Sequence, residues 1–151
     1  MDTTTAPEPA TRTAPTRAAP PRVSDVMHGP VVAVDTSDNL WTAMDVMLTR
    51  GLRHLVVTRG GRAHGILSDR DVAATWAMDP IGLKNRQAGR TAAPAEQVFL
   101  SPDTDVVAAA VRMRELGVDA LVVVASTGAP LGVVTDHDLL GVLAVLIRAH
   151  A

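Results

Sequence analysis

Two short stretches hold the residue types best suited to gripping a phosphorylated sugar. Gly65-Ile66-Leu67-Ser68-Asp69-Arg70-Asp71 and Gly132-Val133-Val134-Thr135-Asp136-His137-Asp138 each run from a glycine through apolar residues to a hydroxyl, with an aspartate three positions later. A hydroxyl beside main-chain amides suits phosphate, and a carboxylate accepts two hydrogen bonds from a ribose diol. Arg70 and His137, inside the stretches, either reach such a phosphate or lie on a solvated helix face. The Ser/Thr-x-x-Asp spacing is also a helix-capping pattern, in which the hydroxyl takes an N-terminal amide and the carboxylate suits the helix dipole. The two roles are compatible, because a helix N-terminus is itself an anion site.

The stretches sit inside a longer repeat. An offset of 66 residues pairs Leu40 with Val106, Ala43 with Ala109, Met47 with Met113, Gly51 with Gly117, and Leu55-Val56-Val57 with Leu121-Val122-Val123. One added residue near Ser126-Thr127-Gly128 moves the offset to 67, which brings Gly65 onto Gly132, Ser68 onto Thr135 and Asp71 onto Asp138. Matches at core-type and polar positions together indicate duplication. Two copies make a pseudo-symmetric pair, not a solenoid.

The elements that must position the motifs follow from local pattern. In the first copy, Val31 to Val34 reads as a strand and Asp35-Thr36-Ser37-Asp38 as a helix start. Leu40, Ala43, Met44, Met47 and Leu48 recur at helical spacing, with Gly51 as the stop. Strands over Leu55 to Thr58 and His64 to Leu67 flank the Gly60-Gly61 turn, and a helix opened by Ser68 runs to about Trp76. The second copy repeats the order: strand Val98 to Leu100, helix Thr104 to Leu116, strands Leu121 to Val124 and Leu131 to Val134, helix Asp136 to Arg148. The expected fold is mixed α/β (α+β), two β-α-β-β-α units packed as one module because neither can bury its small sheet alone. The expected boundaries are 1–22 for a disordered Pro/Thr/Ala-rich tail, 23–76 and 98–148 for the units, 77–97 for a linker with at most one short helix, and 149–151 for a C-terminal tail.

Composition excludes several classes. Trp41, Trp76 and Phe99 are the only aromatics and the net charge is −2, which argues against a nucleic-acid partner. The chain has no cysteine, hence no disulfide or thiol nucleophile, and its five scattered histidines lack metal-ligand spacing. The longest apolar run, Leu139 to Ile147, is too short to span a bilayer and reads as a buried helix end. No membrane partner and a cytoplasmic location are therefore expected. No Walker loop, dinucleotide fingerprint or Ser-His-Asp constellation occurs, so an enzyme is not expected. Lys84, Arg86 and Arg90 read as a solvated linker, and Val106, Val107, Ala110 and Val111 as core or a dimer seam.

The unit order, closed each time by Gly-apolar-x-Ser/Thr-x-x-Asp, resembles the CBS domain (named for cystathionine β-synthase), and the tandem resembles a Bateman module. Val23-Ser24-Asp25-Val26-Met27 is similar to the family's lead-in, and the likeness covers about residues 23 to 148. The resemblance implies a regulatory sensor of adenosine ligands, with AMP, ADP or ATP, and also NAD or S-adenosylmethionine, as candidates and no required cofactor. It implies clefts in which Asp71 and Asp138 hold ribose and Ser68 and Thr135 meet phosphate, flanked by Gly65, Ile66, Arg70, Gly132, Val133 and His137. It further implies a homodimer that acts on an unknown protein partner in stress or energy sensing. Asp119 and Asp136 place negative charge near the second motif, whereas Arg53 and Arg70 offset Asp69 near the first, so the Asp71 cleft is the expected primary site. A ligand-free interaction scaffold is the alternative.

Overall fold

Alternation along the paired strands divides the apolar residues between two cores. On β2 (His54–Arg59), Leu55 and Val57 join one cluster while Val56 joins the other. On β3 (Arg62–Ser68), Leu67 and Ile66 separate in the same way, as successive strand side chains must. The computed structural model describes residues 18–150, with the main chain alone at 95, 96 and 150.

The first sheet has the order β1-β2-β3-β4, where β1 is Ala33–Asp35 and β4 is Ala93–Pro94. β1 runs parallel to β2, and β3 is antiparallel to both β2 and β4. The second sheet has the order β5-β6-β7, from Phe99–Leu100, Ala120–Val124 and Pro130–Thr135. Leu55, Val57 and Leu67 pack under the helices α2 (Leu40–Arg50) and α3 (Asp69–Met78). Val56 and Ile66 turn the other way, into one cluster with Val122, Val123 and Val134 of the second sheet. The two sheets therefore share a core, covered on the far side by α7 (Val106–Leu116) and α8 (Asp136–His150). Complete burial of Leu55, Leu67 and Leu121 contributes about 1.5–3 kcal/mol each.

The repeat also fixes how helices begin and end. Asn39 and Asp105 cap α2 and α7, each accepting from an amide three residues on at 2.8 Å. Gly51 and Gly117 close the same helices at φ 64° and 65°, a left-handed conformation that glycine adopts without a β-carbon penalty.

The segments that lead into each repeat cross over to the other one. Before the first repeat, α1 (Val23–Val26) docks on the second: Arg22 bridges Asp105, Val106 N donates to Pro21 O at 2.9 Å, and His28 pairs with Val133. Before the second repeat, α5 (Ala88–Thr91) docks on the first: Gln87 bridges Asn39, Leu40 N donates to Arg86 O at 3.0 Å, and Ala93 pairs with Ile66. Val23 and Ala88, at matching places, are both fully buried.

Three expectations are corrected here. The segment read as a linker with at most one short helix holds three, α4 (Gly82–Asn85), α5 and α6 (Ala95–Val98), together with β4. The tail read as running through 22 lies outside the described residues up to 17, but its last members, Pro21 and Arg22, are tied to α7 by main-chain pairing. The run Leu139 to Ile147 is not buried: Leu140, Leu143, Val145 and Ile147 are half or more exposed, since α8 meets α7 along only one side.

Candidate functional site

Both motifs adopt the same geometry at the start of a helix. Ser68 caps α3, its Oγ accepting from Asp71 N at 3.1 Å, while Asp71 Oδ2 accepts from Ser68 N at 2.9 Å and from Ser68 Oγ at 2.8 Å. Thr135 and Asp138 repeat this at α8: Thr135 N and Oγ1 each donate to Asp138 Oδ2 at 2.8 Å, and Asp138 N donates to Thr135 Oγ1 at 3.3 Å. The reciprocal pairing fixes each carboxylate through Oδ2 and leaves its second oxygen, Oδ1, outside the cap.

The two carboxylates differ in what meets that second oxygen. His28 Nε2 contacts Asp138 Oδ1, closing over a carboxylate whose side chain is only 7% exposed. Ala93 holds the place of His28 in the other repeat and has no group to offer. Among the described residues, no side chain pairs with Asp71 Oδ1.

The motif glycines and their neighbours serve the packing of the lead-ins. A β-carbon on Gly65 would stand 2.3 Å from the Ala93 carbonyl oxygen, and one on Gly132 would stand 2.7 Å from Met27 Sδ and 2.8 Å from His28 O. Both glycines let a foreign strand approach. Ile66 is buried in the core between the sheets, and Val133 packs against it from the second sheet. Arg70 is drawn to Asp119 at 3.2 Å, while the His137 side chain is exposed on α8.

Asp119 proves to be the hub of a charged cluster between the repeats. It meets His54 Nε2 at 2.8 Å, Arg70 at 3.2 Å and Arg53 at 3.9 Å, and Arg53 also meets Asp69 at 3.5 Å. Burial pushes the Asp119 carboxyl upward. The hydrogen bond and charge of His54, with the charge of Arg70, outweigh this and hold its pKa below the ordinary carboxylate value. Of the two cations expected to offset Asp69, Arg53 meets it at 3.5 Å, whereas Arg70 turns to Asp119, so the negative charge expected of Asp119 beside the second motif is neutralised. Partners so distant along the chain leave no sequence signal.

Elsewhere, Lys84 lies over the Trp41 ring at 5.3 Å, so that linker cation is not merely solvated. Trp76 lines an apolar groove between α2 and α3, beside Met44, Leu48 and Val72. A matching groove of about 680 Å³ runs between α7 and α8, lined by Val107, Ala110, Leu140 and Leu143. The expected dimer-seam residues Val107, Ala110 and Val111 are exposed, whereas Val106 is buried. No helix among the described residues is long and apolar enough to cross a membrane.

This duplicated unit with crossed lead-ins matches a known domain along both copies. The family model of the CBS domain fits residues 23–76 and again 94–145. The chain belongs to the CBS-domain family. It is 30% identical over 128 residues to an uncharacterised 33.4 kDa protein in a ribosomal RNA operon of Thermofilum pendens, covering 79% of this chain and 42% of that protein. The chain spans less than half the length of the curated relatives it matches. Among solved structures, a CBS domain protein from Pyrobaculum aerophilum complexed with AMP superposes with a TM-score of 0.74 at 23% identity, covering 86% of this chain and 99% of that one. A CBS domain pair in complex with 5′-methylthioadenosine and S-adenosyl-L-methionine gives 0.73 at 18% identity, covering 84% and 98%. The CBS fold is thus shared with proteins that hold adenosine compounds.

Proposed function

We propose that this CBS pair is a regulatory module that binds an adenosine nucleotide through Asp71. The observation that carries this reading is the state of the Asp71 carboxylate. Oδ2 is locked by Ser68 N and Oγ, which aims the side chain, while Oδ1 has no side-chain partner among the described residues. A carboxylate held in this way accepts from a ribose diol without first losing rotamer freedom. The Ser68 hydroxyl donates to Asp71 and accepts from its amide, so contact with phosphate requires that hydroxyl to turn from the cap. AMP, ADP and ATP are the candidate ligands, with NAD and S-adenosylmethionine beside them. The AMP-bound relative from Pyrobaculum aerophilum supports this class of ligand.

The role is regulatory rather than catalytic, in the cytoplasm, with no required cofactor. Binding biases how the repeats and subunits pack, and a partner protein reads that change, since a ligand shifts an equilibrium only by its differential affinity. The exposed apolar grooves of α2–α3 and α7–α8 are the faces on which a second copy would pack to form a homodimer. The unit boundaries follow the two repeats, 23–76 and 98–148.

A thermal melting screen against AMP, ADP, ATP, NAD and S-adenosylmethionine tests the reading. At least one should raise the melting temperature of the wild type by several degrees at saturation. An unchanged melting temperature across the panel would favour the second reading, an interaction scaffold that binds no nucleotide. The observation on its side is that Ser68 and Thr135 are both engaged in their own helix caps.

A further inference from the structure

We infer that His28 sets the ligand stoichiometry of the module by closing the second cleft. The inference rests on the proposed ribose role of Asp71 and Asp138.

His28 is held in place by its main chain. Its N donates to Val133 O at 2.8 Å, and Val133 N donates back to His28 O at 3.1 Å, an antiparallel bridge onto the strand that carries the second motif. Met27 and His28 pack where Gly132 lacks a β-carbon, so the bridge lies flush against β7. From there the ring reaches Asp138 and donates from Nε2 to Oδ1. That oxygen is the one the capping arrangement leaves over, because Thr135 N and Oγ1 both occupy Oδ2. With His28 in place, Thr135 and His28 take three of the four acceptor positions of Asp138, and the one left cannot take both hydroxyls of a diol.

The first motif shows what the second would be without the ring. Ala93 occupies the same register against Ile66 that His28 occupies against Val133, and Ile66 and Val133 each follow a motif glycine. A methyl group there reaches no carboxylate oxygen. Two motifs with the same capping geometry thus differ in the side chain that meets Oδ1, supplied each time by the other repeat's lead-in. The His28 side chain is 70% exposed, so its removal disturbs little packing.

Calorimetric titration with AMP as the probe tests this on the full chain. Wild type should bind one AMP per chain, and Asp71→Ala should bind none. His28→Ala should bind two, and the double variant His28→Ala with Asp71→Ala should retain one. His28→Gln restores a donor at the position of Nε2 and should return the count to one. A His28→Ala protein that still binds one AMP would overturn the role of His28, as would a wild type that binds two and loses one in Asp138→Ala. Either result leaves the Asp71 reading standing. Absence of binding in every variant, with AMP and then with ADP, ATP, NAD and S-adenosylmethionine, would overturn both.

Discussion

His54 and Asp119 join the two CBS repeats at 2.8 Å, one at the start of β2 and the other just before β6. Arg53 and Asp119 are matching positions of the duplication, so the cluster lies where the repeats face each other. Replacing Asp119 with Asn should destabilise the module by about 1 kcal/mol, a typical value for a hydrogen bond to a charged group that keeps some solvent contact. The folded-state pKa of Asp119 is depressed, so its contribution is present above the unfolded value and is lost as pH falls through the folded one. Denaturant unfolding should therefore separate wild type from Asp119→Asn at pH 7, and the difference should begin to shrink only as pH falls below about 4, vanishing below the depressed folded-state value.

Gly65 is predicted to be intolerant of any side chain, for reasons of space. The Ala93 carbonyl oxygen, a main-chain atom in the β3–β4 pairing, stands where a β-carbon would go. Gly65→Ala should cost about 1–3 kcal/mol in denaturant unfolding, the range for overpacking a close-fitted core. An unaffected midpoint would show that β4 can shift without loss.

The caps make a separate prediction. Ser68→Ala removes the hydroxyl that accepts from Asp71 N and should lower stability by about 1 kcal/mol in urea. Ser68→Thr keeps the oxygen and should match wild type, as Thr135 does at the equivalent place.

The fold was largely legible in the sequence because duplication tests every assignment twice. Gly51 and Gly117 marked two helix ends, and both adopt the left-handed conformation that such a stop requires. What escaped was the crossing of the lead-ins. Gln87 to Pro94 does for the second repeat what Arg22 to Gly29 does for the first, yet the shared buried apolar pair Val23 and Ala88 is too slight a signal. Contacts made through main-chain pairing do not require matching side chains, so the duplication faded there. The site was legible as a pattern: Ser68 with Asp71 and Thr135 with Asp138 do come together. The charges of Asp119 and Arg70 suggest an asymmetry between the motifs, but these two side chains pair with each other. The asymmetry arises instead at His28, whose partner Asp138 is in the other repeat.

The α7–α8 groove predicts self-association. Leu143 is half exposed on α8 and lines that groove with Leu140 and Val107. Light scattering on the eluted peak should give twice the chain mass for wild type and a single chain mass for Leu143→Glu, because a charge in a desolvated apolar seam is strongly unfavourable. A monomeric wild type would show that the groove does not hold a second copy.

If Asp71 holds the ribose of an adenosine nucleotide, AMP titrated calorimetrically into wild type and Asp71→Asn should separate the two proteins. Asn keeps an acceptor for Ser68 and so preserves the cap, which circular dichroism and melting can verify, but it removes the negative charge that favours the diol. Saturable AMP binding by wild type, weakened at least tenfold in the folded Asp71→Asn protein, is the predicted result. Equal AMP affinity in the two proteins would contradict it.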